Sequence, residues 1–205
     1  MNSKKYFISF ASPDLKRSAE RIYNQAQKLN FYDKVCIFST NNLEENYKNF
    51  ILNLIKKNKK VGYGYSAWKP FIINQFMKQV NNGDIIHYVD AGCHINENGK
   101  ERLKFYIQKL NHSDQGILAF QYNKLEGYDE KEFEFPKIYE YKYTKADLLN
   151  YFNVLQEKKI THTKQYWAGN FFLKKNTFVT KFINEWIEVF EKRFDLIDDT
   201  PSKEK

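Results

Sequence analysis

Short apolar runs alternate with amphipathic stretches along most of the chain. Tyr6-Phe7-Ile8-Ser9-Phe10, closed by Ser12-Pro13-Asp14, predicts a strand. Leu15, Ala19, Ile22 and Ala26 then recur at helical spacing, which predicts a helix to about Leu29. Lys34 to Ser39 is a second β-branched and aromatic run, ended by Thr40-Asn41-Asn42. Behind it, Tyr47, Phe50, Ile51, Leu54 and Ile55 mark another helix. Strand, helix, strand, helix points to βαβ units and a parallel sheet.

The basic stretch Lys56 to Lys60 leads into Val61-Gly62-Tyr63-Gly64-Tyr65, where two glycines among aromatics predict an irregular loop. Pro70 suits the first turn of a helix reaching about Val80, and Asn81-Asn82-Gly83-Asp84 stops it. Ile85-Ile86-His87-Tyr88-Val89 is the best core strand, and it delivers Asp90-Ala91-Gly92-Cys93-His94 at its carboxyl end. In an open α/β sheet, ligands sit at that end. A helix over about 100–110 and a strand over 116–121 follow. Residues 126–143, acidic and aromatic with little periodicity, read as a substrate-contacting loop region. Thr144 is placed as the N-cap of a short helix, with Asp147 three residues on. Residues 165–174 read as loop into strand. Residues 176–194 form an amphipathic helix whose core stripe is Phe178, Phe182, Trp186 and Phe190.

With no internal repeat and no linker, the pattern gives one domain over residues 1–197 and a disordered tail over 198–205. Among 205 residues, 42% are hydrophobic and 18% aromatic, which excludes intrinsic disorder for most of the chain. No apolar run approaches the ~20 residues that cross a bilayer, and the first residues lead into a strand instead of a signal-peptide core. A cytoplasmic protein is expected. Cys36 and Cys93 give neither a disulfide framework nor a zinc spacing. A net charge of +8 admits nucleic acid, anionic membrane or phosphorylated small molecules as partners without choosing among them. The lysines are spread along the chain, as in a generally basic solvated surface.

The glycine-rich, P-loop, zincin and nucleophile-elbow signatures are absent. One constellation remains. An acidic residue at a strand end, Asp90, can hold a ribose hydroxyl or a metal, and Gly92 lets a phosphate approach the backbone. The plain alternative is a turn after a strand.

Four ordered stretches carry a resemblance: Gly62-Tyr63-Gly64-Tyr65-Ser66-Ala67-Trp68-Lys69-Pro70; Gly83 to Asn96, with Tyr88-Val89-Asp90-Ala91-Gly92-Cys93 at its centre; Tyr143 to Leu148; and Trp167-Ala168-Gly169-Asn170 to Asn176. Together they resemble a family of bacterial glycosyltransferases of the GT-A fold, associated with surface polysaccharide and lipopolysaccharide synthesis. The resemblance implies a single Rossmann-like α/β domain with a mainly parallel central sheet flanked by helices. It implies transfer of a sugar from a nucleotide-diphosphate sugar to a hydroxyl of a glycan or lipid-linked acceptor, at the inner face of the membrane. It places Asp90-Ala91-Gly92 where related enzymes carry Asp-x-Asp. Gly92 cannot supply the second carboxylate, so dependence on Mn²⁺ or Mg²⁺ stays open.

On this reading Tyr65, Trp68, Lys69, Asp90, Ala91 and Gly92 bind the donor, Lys69 supplying the missing positive charge. Asp90 and His94 are the metal candidates. Gln165, Gly169 and Asn170 face the acceptor, and Asp147 is the candidate base, with Glu140 and Asp129 as alternatives. Each has an ordinary counterpart: a helix-start lysine, a loop histidine, core aromatics, a helix-capping aspartate. The family continues past Asp198-Asp199-Thr200-Pro201 into a segment with His, Asp and Gln, so the resemblance predicts a shortened chain. Nucleic acid is not expected as a partner. A second function class, a non-catalytic basic module for nucleotides or nucleic acid, keeps the charge and the Tyr/Trp-rich loop as its support. Contact with an anionic membrane fits the same charge.

Overall fold

The apolar runs become the strands of one open sheet. The computed structural model describes residues 3–57, 62–122 and 139–204. Over those residues the elements run β1 (Lys5–Phe10), α1 (Lys16–Lys28), β2 (Lys34–Phe38), α2 (Glu45–Lys57), a single turn α3 (Gly62–Tyr65), α4 (Trp68–Met77), β3 (Ile85–Val89), α5 (Lys100–Asn111) and β4 (Ile117–Gln121). Three short helices, α6 (Glu140–Tyr143), α7 (Ala146–Tyr151) and α8 (Lys158–Thr161), precede β5 (Tyr166–Lys174) and α9 (Thr177–Lys192).

The strand order is β2-β1-β3-β5-β4. β1 pairs parallel with β2 and with β3, and β3 pairs antiparallel with β5, Val89 lying opposite Asn170. The fold is α/β, with a mixed five-stranded sheet flanked by helices. The sheet is parallel across β2, β1 and β3, as expected, and turns antiparallel at β5.

β3 is buried at all five positions, as a central strand covered on both faces must be. On one face Ile22 and Ala26 of α1 pack with Phe7, Val35, Val89 and Ala91. On the other, α4 is buried at nearly every position, and Phe76 meets Tyr6 and Phe38 edge-on. The α4 carboxyl end is closed by Lys175, whose Nζ donates to the carbonyls of Met77 at 2.7 Å and Val80 at 2.6 Å. A cation belongs there, where unpaired carbonyls gather. The loop predicted before α4 is irregular in a definite way. Tyr63, Gly64, Tyr65 and Ser66 all have positive φ (44°, 73°, 57° and 58°), a left-handed turn that ordinary residues adopt only at a cost of about 1–2 kcal/mol each.

The chain divides into two compact units, Met1–Leu118 with Gly169–Ile187, and Ala119–Ala168 with Glu188–Lys205. In the second, Tyr139 bridges Lys164, and Lys145 Nζ donates to the Asp195 carbonyl, Asp198 and Thr200. Residues 198–204, read from the sequence as a disordered tail, run along α7, where Asp147 accepts the N–H groups of Lys203 and Glu204.

Two sequence expectations are corrected. Thr144 is not an N-cap: Lys145 holds that position without a side-chain capping bond, and the Thr144 hydroxyl donates to Glu140 Oε2 at 2.7 Å. The buried stripe of α9 is Val179, Ile183, Ile187 and Phe190, while Phe178 and Phe182 are exposed. Most of the 126–143 stretch lies outside the described residues, Asp129 with it.

Candidate functional site

Asp90 leaves the carboxyl end of β3 in the middle of the sheet. Its N–H donates to the Gly169 carbonyl at 2.8 Å, and its own carbonyl accepts the Cys93 N–H at 2.9 Å, so the Asp90–Cys93 turn is pinned at both ends. Arg21, on α1, holds the same turn from behind through the carbonyls of Ala91 at 2.8 Å and Cys93 at 3.2 Å. Side chains on a strand point alternately to opposite faces, so Tyr88 and Asp90 share one. The hydroxyl of Tyr88, a fully buried residue, donates to Asp90 Oδ1. Burial, and next to it the Asp90 carboxylate, hold the Tyr88 phenol well above its usual range, so it stays a donor.

Lys69 comes to the same carboxylate from the first turn of α4. Its Nζ lies 3.2 Å from Oδ1 and 3.3 Å from Oδ2, and 5.4 and 5.5 Å from the ring centres of Trp68 and Tyr88. The Lys69 side chain is 9% exposed and that of Asp90 35%, so the ammonium is sealed and the carboxylate faces out. Trp68 is buried, its ring stacked on Phe10 at 4.4 Å. Ala91 is buried in the α1-facing core, and Tyr65 is half-buried in the left-handed turn. Among the described residues, nothing lies within 4 Å of where a Cβ would stand at Gly92.

A cleft of about 330 Å³ lies at the carboxyl ends of β1 and β2, lined by Ala11, Ser12, Lys16, Ile37, Phe38 and Ser39 among others. Ala11 and Ala91 belong to the apolar cluster on the α1 face, whereas the Asp90 carboxylate lies with Tyr88 and Lys69 on the α4 face, so the cleft and the carboxylate flank the same end of the sheet from its two sides.

The remaining expected residues distribute as follows. Gly169 and Asn170 border the Asp90 strand end. Asn170 Oδ1 accepts from His87 Nε2 at 2.7 Å, which fixes the tautomer, and His87 Nδ1 accepts the Tyr32 hydroxyl at 2.7 Å. Burial lowers His87 to about 4 and pushes the Tyr32 phenol up. His94 is exposed. Among the described residues no group of three or more His, Cys, Asp or Glu side chains is set to hold a metal ion. Gln165 and Asp147 lie in the other unit. Gln165 Nε2 donates to the Thr144 hydroxyl at 3.1 Å. Asp147 borders a second cleft, of about 390 Å³, with Lys145, Arg193 and Lys203. Desolvation works to raise its pKa, yet the bonds from Lys203, Ser202 and Glu204 together bring it below the usual carboxylate range.

The chain matches no protein-family model and no curated protein. The site therefore rests on its own geometry. Tyr88, Arg21 and the β1–β2 cleft were not singled out in the sequence. The period-two rule alone would have put Tyr88 beside Asp90, whereas Arg21 reads as any exposed helix residue.

Proposed function

We propose that the chain is a GT-A-like glycosyltransferase that binds a nucleotide-diphosphate sugar at the carboxyl ends of β1, β2 and β3 and transfers the sugar to a hydroxyl of a glycan or lipid-linked acceptor. The observation that carries this reading is the partly exposed Asp90 carboxylate, fixed by Tyr88 and Lys69 at the carboxyl end of the central strand, with the β1–β2 cleft at the same end of the sheet. Strand ends of this kind are where α/β sheets take nucleotides. The cleft, apolar with Ser12, Ser39 and Lys16 at its rim, suits a nucleoside. Gly92, exposed and without a side chain, lets a phosphate approach the backbone of the turn.

In the proposed reaction the acceptor oxygen bonds to the anomeric carbon while the bond from that carbon to the phosphate oxygen breaks. The nucleoside diphosphate leaves with the electron pair. The hydroxyl proton passes to a base, for which Asp147 is a poor choice: its oxygens are taken by backbone N–H groups and its basicity is lowered. Asp147 is better read as the anchor of residues 198–204.

A thermal-shift panel of UDP-, GDP- and dTDP-sugars tests the reading, with a CMP-sugar, which carries a single phosphate, as the contrast. One class should stabilise the protein by about 2.7 kcal/mol at a ligand concentration of about 100 Kd, by mass action, and Asp90→Asn should lose most of that shift. No shift with any nucleotide sugar would sink it. A shift without sugar transfer to any acceptor would leave the non-catalytic nucleotide-binding alternative.

A further inference from the structure

We propose that Asp90 is a hydroxyl-binding carboxylate whose charge Lys69 already balances, so that this site holds its ligand without a divalent cation. The ligand class is a polyol, a ribose or a hexose, offering neighbouring hydroxyls to the exposed edge of the carboxylate. The choice of polyol rests on the function proposed above, whereas the cation argument stands on Asp90 and Lys69 themselves.

A hard divalent ion needs about six oxygen ligands at 2.0–2.6 Å and takes at least one carboxylate as its main anionic partner. The residues at this strand end do not fit that demand. The second carboxylate of an Asp-x-Asp arrangement is replaced by Gly92, and His94 is an exposed loop residue. Asp90 has an ammonium within 3.3 Å of both oxygens and a phenol donating to Oδ1. A dication bound to those oxygens would stand beside a buried like charge, a repulsion that low-dielectric surroundings strengthen. Nor does Lys69 have an easy way out. Its side chain is 9% exposed, and Pro70, Trp68 and Tyr88 around it are all buried.

A carboxylate bonded on its inner side and 35% exposed still has lone pairs facing out. With its charge balanced, it remains a good acceptor for neutral O–H donors and becomes a weak attractor of cations. Gly92, two positions along, adds no side chain beside that edge, and among the described residues nothing stands within 4 Å of where its Cβ would be.

Two measurements on the full chain decide the matter. The first titrates Mn²⁺ alone and reads the free ion by electron paramagnetic resonance. Wild type and Asp90→Asn should deplete the signal equally, and Lys69→Met, which leaves Asp90 without its cation, should gain an Mn²⁺ site that wild type lacks. Should Lys69→Met fail to fold, Lys69→Met/Asp90→Asn, with no charge left to bury, should fold and bind no more Mn²⁺ than wild type. The second compares nucleotide-sugar affinity by calorimetry in EDTA and in Mn²⁺, which should agree within about threefold, less than 1 kcal/mol. A stoichiometric Mn²⁺ site in wild type that Asp90→Asn removes, or donor affinity that collapses in EDTA, overturns the inference. If no nucleotide sugar binds in either buffer, the glycosyltransferase reading falls, and the Mn²⁺ titration still decides whether Asp90 is closed to the cation.

Discussion

His87 is a titratable side chain sealed in the centre of the sheet, with Phe172 stacked 3.8 Å from its ring and both nitrogens bonded to neutral partners. Its pKa is about 4 in the fold against 6.5 as the ordinary value, burial being the cause. Between those values the unfolded chain binds the extra proton, so stability is fully present above pH 6.5 and drains as pH falls toward 4, by up to about 3 kcal/mol. Urea denaturation across that window should show the decline, and His87→Gln should flatten it; an unchanged slope in the variant would assign the effect elsewhere. Ser9 is the opposite case. Its hydroxyl is fully buried in β1 with no hydrogen-bond partner among the described residues. Ser9→Ala removes an unpaid desolvation and should raise stability by about 1 kcal/mol, read as a higher urea midpoint at constant slope.

The element that presents Lys69 depends on a contact far along the chain. Lys175 joins the end of β5 to the last carbonyls of α4, so Lys175→Met should cost about 2 kcal/mol and weaken ligand binding at Asp90 as α4 loosens. Chemical denaturation together with nucleotide-sugar titration would check both halves. The strands β1 to β3 and helices α1, α2 and α4 are legible in the sequence because each is an apolar run or an apolar stripe bounded by turn residues, a local signal. The direction of β5 is not legible, since it is fixed by pairing Val89 with Asn170, eighty-one positions away. In α9 two stripes share helical spacing. Aromatic bulk favours Phe178 and Phe182 as core, but the face turned to the interior carries Val179 and Ile183. Thr144 fails as a cap for a similar reason, because Glu140 one turn earlier captures its hydroxyl. At the site, Asp90, Lys69 and Gly92 are legible from their place after a core strand and before a helix. Tyr88 could have been read from the period-two rule, two positions before Asp90 on the same strand, whereas the support from Arg21 could not, because a bond from a helix to a turn seventy positions on leaves no periodicity of its own.

At the scale of the whole molecule, the excess of eight positive charges is the feature that keeps a nucleic-acid role in play. Its distribution argues against that role. Lys28 pairs with Glu97, Lys78 with Glu44, Lys104 with Glu101 and Lys192 with Glu188, so much of the basic surface is interleaved with acid. The buried cation at the candidate site is balanced by Asp90. A protein that neutralises 6–10 phosphates loses about 10³–10⁵ in affinity between about 50 and 200 mM salt. An interleaved surface should engage few phosphates at once, so fluorescence anisotropy with a short single-stranded oligonucleotide should show weak binding that falls by less than about tenfold over the same range. The nucleotide sugar, held by a strand end and a cleft, should lose still less. Steep salt dependence for the oligonucleotide, untouched by Asp90→Asn, would favour the basic-module alternative and place its binding surface away from this strand end.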